Sequence, residues 1–361
     1  MKNNKNRKKI LMQNNSLQFF RKLIGTISPS GFEHEAVNLW KKEVGSFVEK
    51  IEIDIHGNGI AVLNKSKRPK IMLASHIDEV GFMVKYIDKN GYIYFSAVGG
   101  LDPHLIPGQR VRIKTKKGEI LGVIGKKPVH LLEEEEKKKV CKIEDLWIDI
   151  GAKNEKEAKS KVDIGDVAVV NVGLDILNSD KAISRGFDDK AGVFVITEVL
   201  KFLSKKKFDA SLYGVVTVQE EIGLRGARTS AYGISPDIGI AIDVTFATDF
   251  PTMDKRKTGD IKIGGGPVIA RGPNINPKIF DLLLSVAKKE NIPYQIEAIA
   301  AGTRTDANVI QLTKSGIATG LVSIPLRYMH TPVEVISISD LENTSKLLES
   351  FVLKLNKGLR F

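Results

Sequence analysis

Cysteine is nearly absent: a single residue, Cys141, stands in 361 positions. That excludes an intramolecular disulfide and any site built from several thiolates. Cys141 falls in "KKKVCKIEDLWIDI", which is expected to be strand-like, and is read as a packing residue rather than a nucleophile. Long apolar runs are absent too. None approaches the roughly 20 residues needed to span a bilayer. At the N-terminus, "MKNNKNRKKILMQNN" is basic, but only Ile10 to Met12 follow before polar residues return. A signal peptide would need an apolar region of about 7 to 15 residues there. The expected location is cytoplasmic, with no membrane partner. Aromatic residues are sparse at 7%, and only six histidines occur.

Charge is abundant and one-sided, with 55 Lys and Arg against 43 Asp and Glu, a formal +12. Such an excess raises the question of nucleic acid. The positives, however, lie in separate clusters: Lys2 to Lys9, Lys65 to Lys70, Lys137 to Lys139, Lys205 to Lys207 and Lys255 to Lys257. Without interleaved aromatics they read as a solvated surface, and no nucleic-acid partner is expected. The acid-then-base run Glu133 to Lys139 reads as an exposed helix turn or loop.

Hydrophobic periodicity divides the chain. Residues 15 to 50 read mostly as helices, with Leu17, Phe20, Leu23 and Ile24 on one face. Strands are expected at roughly 47–55, 59–63 and 70–75. From about Gly81 to Gly173 the texture becomes short alternating runs punctuated by glycine, as in "GYIYFSAVGG", "GQRVRIKT", "GEILGVIG" and "GDVAVVNVG". That spacing predicts a small β-barrel or sandwich. After Phe187, helices are expected at roughly 189–204, 223–232, 277–290 and 338–356. Strands are expected at 211–218, 238–243, 259–263, 293–299 and 319–324. The implied fold is α/β, a discontinuous domain of residues 1–80 and 174–361 interrupted by an all-β insertion at 81–173.

Six islands along this frame carry chemistry: His76-Ile77-Asp78, Asp188-Asp189, Glu220-Glu221, Asp243, Asp306 and His330. Several follow an apolar, strand-like run, and open α/β sheets bind ligands in the crevice beyond the carboxyl ends of their strands. Taken singly, each acid has an ordinary reading as a turn former or helix cap. Converging there, several acids would repel strongly without cations between them. The set as a whole points to a two-metal hydrolase.

The islands also resemble the M42 metallo-aminopeptidases, a family that includes glutamyl aminopeptidases and tetrahedral self-compartmentalising enzymes. The resemblance rests on "SHIDEVGFMV", "RGFDDKAG", "TVQEEIGLRGA", "AIDVTFATD", "GTRTDAN" and "YMHTPVE" and runs from near residue 15 to near the C-terminus. It implies a mixed-sheet di-metal peptidase domain with a barrel-like or PDZ-like insertion that helps dimers build a homododecamer. It further implies two divalent ions, zinc or cobalt, with Asp188 as the bridge. His76 and Asp243 would complete one ion, and Glu221 and His330 the other. Neighbours in an extended segment point different ways, so Glu220 is left as general base while Glu221 binds metal. Asp78 would orient the His76 imidazole. In related enzymes the peptide after the bridging Asp is cis, and Asp189 is expected to be a support residue. Asp306 is a possible site-loop residue, since the stretch around Arg304 is longer than the usual form.

His104 and His130 fall in the insertion and are read as structural or oligomer-facing, and His34 and His56 as solvent-exposed. The glycines of "KIGGGPVIARGPN" suggest a tight turn beside the active site more than a phosphate cradle. The expected activity is removal of single residues from peptides with a free N-terminus. Alternatives are a carboxypeptidase or deacylase on the same scaffold, a glycosidase, or a non-catalytic basic scaffold. Which charge faces the specificity pocket, Asp249 or the Lys255-Arg256-Lys257 cluster, stays open.

Overall fold

Four runs dense in Ile, Val, Leu and Ala, buried almost throughout, form the centre of the fold: Ser211–Thr217, Lys70–His76, Ile238–Phe246 and Ala318–Arg327. Near-continuous apolar strands are what a parallel sheet covered on both faces requires, and these four lie parallel in that order. The computed structural model describes residues 14–178 and 180–355. Within it, antiparallel strands extend the sheet on both sides. Gly59–Leu63 and Lys50–Ile53 lie at one end, and Glu334–Ser337, Lys181–Ser184 and Asp175–Leu177 at the other. Val268–Arg271 and Gln295–Ala298 branch off Ala318–Arg327. Thr217 stands opposite His76 and Asp243 opposite Ser323, so the carboxyl ends gather along one edge.

The helix Phe187–Leu203 packs on three of these strands and against the C-terminal helix Ile338–Lys354. Its middle, from Ala191 to Thr197, is buried throughout and almost wholly apolar, as an enclosed helix requires, and its first residues deliver Asp188 and Asp189 to the sheet edge. Gly192 permits that approach. A Cβ there would lie 2.6 Å from Ser75 Oγ and 2.6 Å from an Asp189 carboxylate oxygen.

Residues Gly81 to Val170 supply a separate closed barrel of six antiparallel strands around a core of Phe82, Ile93, Phe95, Val111, Ile113 and Ile148. A small apolar cluster seats it on the rest of the chain. Ile27 and Phe32 meet Met83, Val167 and Val169 on the barrel's outer surface.

Some local expectations differ from the structure. Residues 259–263 form no strand: Ile261 is held by Thr248, whose main-chain N–H donates to the Ile261 carbonyl and whose hydroxyl accepts from the Ile261 N–H. Cys141 lies in an irregular segment, though it packs against the barrel core as a space-filler. The short strands Asp175–Leu177, Lys181–Ser184 and Glu334–Ser337 have too little periodicity to be seen in advance. Among the described residues no helix is long and apolar enough to cross a membrane.

Candidate metal centre and active site

His76 is the last residue of its strand and is 2% exposed. Its Nδ1 faces the main-chain carbonyl of Asp78 at 3.1 Å, while the Asp78 carboxylate is 3.6 Å away. The carboxylate is engaged elsewhere: it accepts from Ser30 Oγ at 2.6 Å and from the main-chain N–H groups of Glu220 and Glu221 at 3.1 Å each. Asp78 thus fixes the imidazole through its backbone and the glutamate pair through its side chain.

Asp188 lies between two histidines. One carboxylate oxygen is 3.1 Å from His76 Nε2, and the other 3.2 Å from His330 Nε2. The Asp188-Asp189 peptide is cis. Asp189 turns away from this pair to accept from Ser75 Oγ and the Gly192 N–H. Behind the turn, Glu79 pairs with Arg185 and, at 2.7 Å, with Lys190, all three buried. Lys190 Nζ and Arg185 also donate to the Thr26 carbonyl. A fully enclosed ion triad of this kind persists only where every charge has partners, and here it clamps both ends of the segment holding Asp188.

Glu221 Oε1 lies 3.3 Å from His330 Nε2 and otherwise has no hydrogen-bond partner. Glu220 approaches His76 Nε2 at 4.0 Å, and Asp243 approaches the same atom at 3.9 Å. Glu334 is buried beneath this group, accepting from the main-chain N–H groups of His330 at 3.1 Å and Asp188 at 3.2 Å. Glu33 accepts from the N–H of Gln219, just before the glutamate pair. Asp306 accepts from Thr217 Oγ1 at 2.6 Å, and its other oxygen is buried without a partner. The loop of Arg304 therefore brings a carboxylate to the floor of the site. Glu334 and Glu79 stand inside the motif stretches, yet their roles depend on packing that no local pattern reveals. Glu33 carries no sequence signal at all.

The concentration of acids perturbs several proton equilibria. Burial, opposed by His76 and reinforced by Asp243, Asp306 and Glu221, pushes Glu220 up to about 10. Burial and its acidic neighbours Asp188 and Asp306 likewise raise Asp243. Although burial opposes it, the carboxylates of Asp188 and Glu221 push His330 up to about 11. Against burial, His330 and His76 hold Asp188 low. Burial lifts Asp306 to about 6. Crowded carboxylates with raised pKa values, two histidines and unpartnered oxygens form a donor set suited to divalent cations. Two overlapping groups, His76 with Asp188 and Glu221, and His76 with Asp189 and Asp243, could each hold one. A narrow cleft opens beside Asp188, Glu221 and His330, walled on the barrel side by Phe82, Ile106 and Val170.

The other histidines stay outside. His104 and His130 are exposed in the barrel segment, and His34 is exposed on its helix. His56, expected in solvent, is half-buried. The glycine stretch is not a turn at the site: the N–H groups of Gly264 and Gly266 donate to the Asp340 carboxylate at 2.6 and 2.8 Å, fastening the start of the C-terminal helix.

Known proteins match this chain over most of its length. The family described as M42 glutamyl aminopeptidase matches residues 57–347. The lysyl aminopeptidase of Pyrococcus furiosus is 38% identical over 94% of this chain and 97% of its own. The TET aminopeptidase of Thaumarchaeota archaeon SCGC AB-539-E09 superposes with a TM-score of 0.91 at 33% identity, over 95% of this chain and 97% of that one. The TET1 peptidase of Pyrococcus horikoshii, which can assemble into a tetrahedron or a large octahedral shell, gives 0.85 at 32% identity, over 94% and 100%. By family match, sequence identity and fold, the chain belongs to the M42 family of metallo-aminopeptidases.

Proposed function

We propose that this chain uses two divalent ions, zinc or cobalt, to release single residues from the free N-terminus of short peptides. The observation that carries this reading is the Asp188 carboxylate, with one oxygen turned to His76 and the other to His330. Asp188 would be shared, His76 and Asp243 would complete one ion, and Glu221 and His330 the other. The unpartnered Glu221 Oε1 supports the fit. When bound, such a pair supplies Lewis acidity and a water made acidic enough to deprotonate near neutral pH.

The remaining chemistry belongs to side chains. Glu220 accepts the proton of the attacking water at its carboxylate and passes it to the departing amine nitrogen. Asp78 keeps Glu220 and Glu221 apart in direction by holding both of their N–H groups. Acidic side chains around His76 receive the substrate ammonium, which sets the register at one residue. The apolar wall of Phe82, Ile106 and Val170 covers the departing peptide.

Residues 1–80 and 174–361 act as the catalytic domain, and 81–173 as an assembly domain in a homododecamer. Leu121, Val123, Val129 and Leu131, exposed on the barrel segment, support self-association. The lone cysteine and the lack of a membrane-crossing helix among the described residues fit a cytoplasmic protein.

Paired assays of free and N-acetylated peptides, before and after exhaustive chelation, test the reading. Turnover of free peptides alone, lost on chelation and restored by zinc or cobalt, is expected. Equal cleavage of blocked peptides would favour a carboxypeptidase or deacylase, and full activity without metal would reject the two-metal assignment. The family description and the lysyl relative name first residues of opposite charge, so membership leaves the preferred residue open.

A further inference from the structure

Beyond Asp243 the sheet edge carries a carboxylate that the chemistry above does not use. The strand Ile238–Phe246 outruns its neighbour Lys70–His76, with which it pairs only as far as Ala241. Side chains two apart on a strand share a face, so Thr245 lies on the face of Asp243, about 7 Å farther out. Thr245 Oγ1 sits 3.0 and 2.9 Å from the two oxygens of Glu297, to which it donates. Glu297 arrives from the branch strand Gln295–Ala298 and is half-buried.

Several charged side chains that follow Asp243 along the chain are paired. Arg327 grips Asp249 through Nε at 2.7 Å and Nη2 at 2.6 Å. Lys255 and Lys262 share Asp260, and Arg256 pairs with Asp254. Arg271 lies over the Phe280 ring, and its register partner is Ala298, next to Glu297 and on the alternate side of the strand. Glu297 alone among these has no cation within 4.0 Å among the described residues. Burial raises its proton affinity and Thr245 lowers it.

We propose that Glu297, oriented by Thr245, is the specificity-determining residue for the first residue of the substrate and selects lysine or arginine. The assignment rests on the aminopeptidase reading. A substrate whose ammonium is anchored among the acids near His76 must direct its first side chain away from the departing peptide. The face of Asp243 and Thr245 offers that direction. A lysine ammonium at the end of its four-carbon stem brings three donors, and the single Thr245 proton leaves Glu297 accepting capacity for them. A neutral side chain would leave a half-buried carboxylate unpaired, which a polar subsite penalises. An acidic one would meet like charge.

The test compares kcat/KM of the metal-loaded full chain on lysyl, arginyl, norleucyl and glutamyl fluorogenic amides, for the wild type, Glu297→Gln, Glu297→Asp and Thr245→Val. The ratio of lysyl to norleucyl turnover is the readout, because losses of fold or metal cancel in it. We expect the wild type to favour lysyl at least tenfold. Glu297→Gln should lower the ratio by about ten- to a hundredfold, as loss of a hydrogen bond to a charged group does. Glu297→Asp should retain part of the preference, and Thr245→Val should fall between. A wild-type ratio near one, or Glu297→Gln reducing both substrates equally, would overturn the subsite while leaving the aminopeptidase reading intact. Turnover of only N-acetylated amides would overturn that reading and the subsite with it.

Discussion

At the scale of single residues, adjacent glutamates on one turn are given different work by their neighbours. Glu221 is drawn to His330, whereas Glu220 faces His76 and Asp243. Positioned acid–base catalysis contributes about 10²–10⁴-fold. Glu220→Gln should therefore lose kcat on that scale while metal content, measured by elemental analysis of the dialysed protein, stays at the wild-type level. Glu221→Gln should instead lower metal content, and swapped outcomes would exchange the two roles. Asp188→Ala should deplete both ions together, because both histidines address the same carboxylate. Retention of two ions by that variant would show that another acid bridges.

At the scale of elements, the site depends on how the helix Phe187–Leu203 meets the sheet. Glu79 clamps the segment from Arg185 to Lys190, and removing one partner of a buried ion group typically costs about 3–5 kcal/mol. Lys190→Met should lower the unfolding free energy by that order, read as a fall in the urea midpoint, with Arg185 left to share Glu79. An unchanged midpoint would mean the triad adds nothing to stability. Gly192→Ala would press a methyl group against Ser75 and the Asp189 carboxylate. Overpacking of this kind costs about 1–3 kcal/mol, readable in the same titration, and a neutral result would show that the helix shifts freely.

For the whole molecule, the barrel holds a core of its own and exposes Leu121, Val123, Val129 and Leu131. A closed assembly of twelve 39.8 kDa chains would have a mass of roughly 480 kDa. Light scattering on the purified protein should find that mass. A monomer across micromolar concentrations would reject assembly, and a stable dimer would leave only its first step. Confinement in such a shell would favour short peptides over folded proteins, which a digestion series of graded substrate lengths would reveal.

Sequence alone determined the layout. Apolar runs ending near His76, Glu220 and Asp243 announced an open α/β sheet with a ligand edge, because ligands in such sheets bind beyond the carboxyl ends of the strands. Glycine-punctuated alternation announced a small β-barrel or sandwich, since period two and frequent turns leave few other folds, and the structure decides for the barrel. What remained hidden depends on contacts between distant segments. Glu334 supports Asp188 across 146 positions of chain, and Glu79 meets Lys190 across 111. The glycines near 265 hold Asp340, not a ligand, and Glu297 reaches Thr245 from another strand. Local pattern records which face a residue takes, but only the packed chain decides what that face meets. A carboxylate has one chemistry in sequence and as many functions as it has possible neighbours.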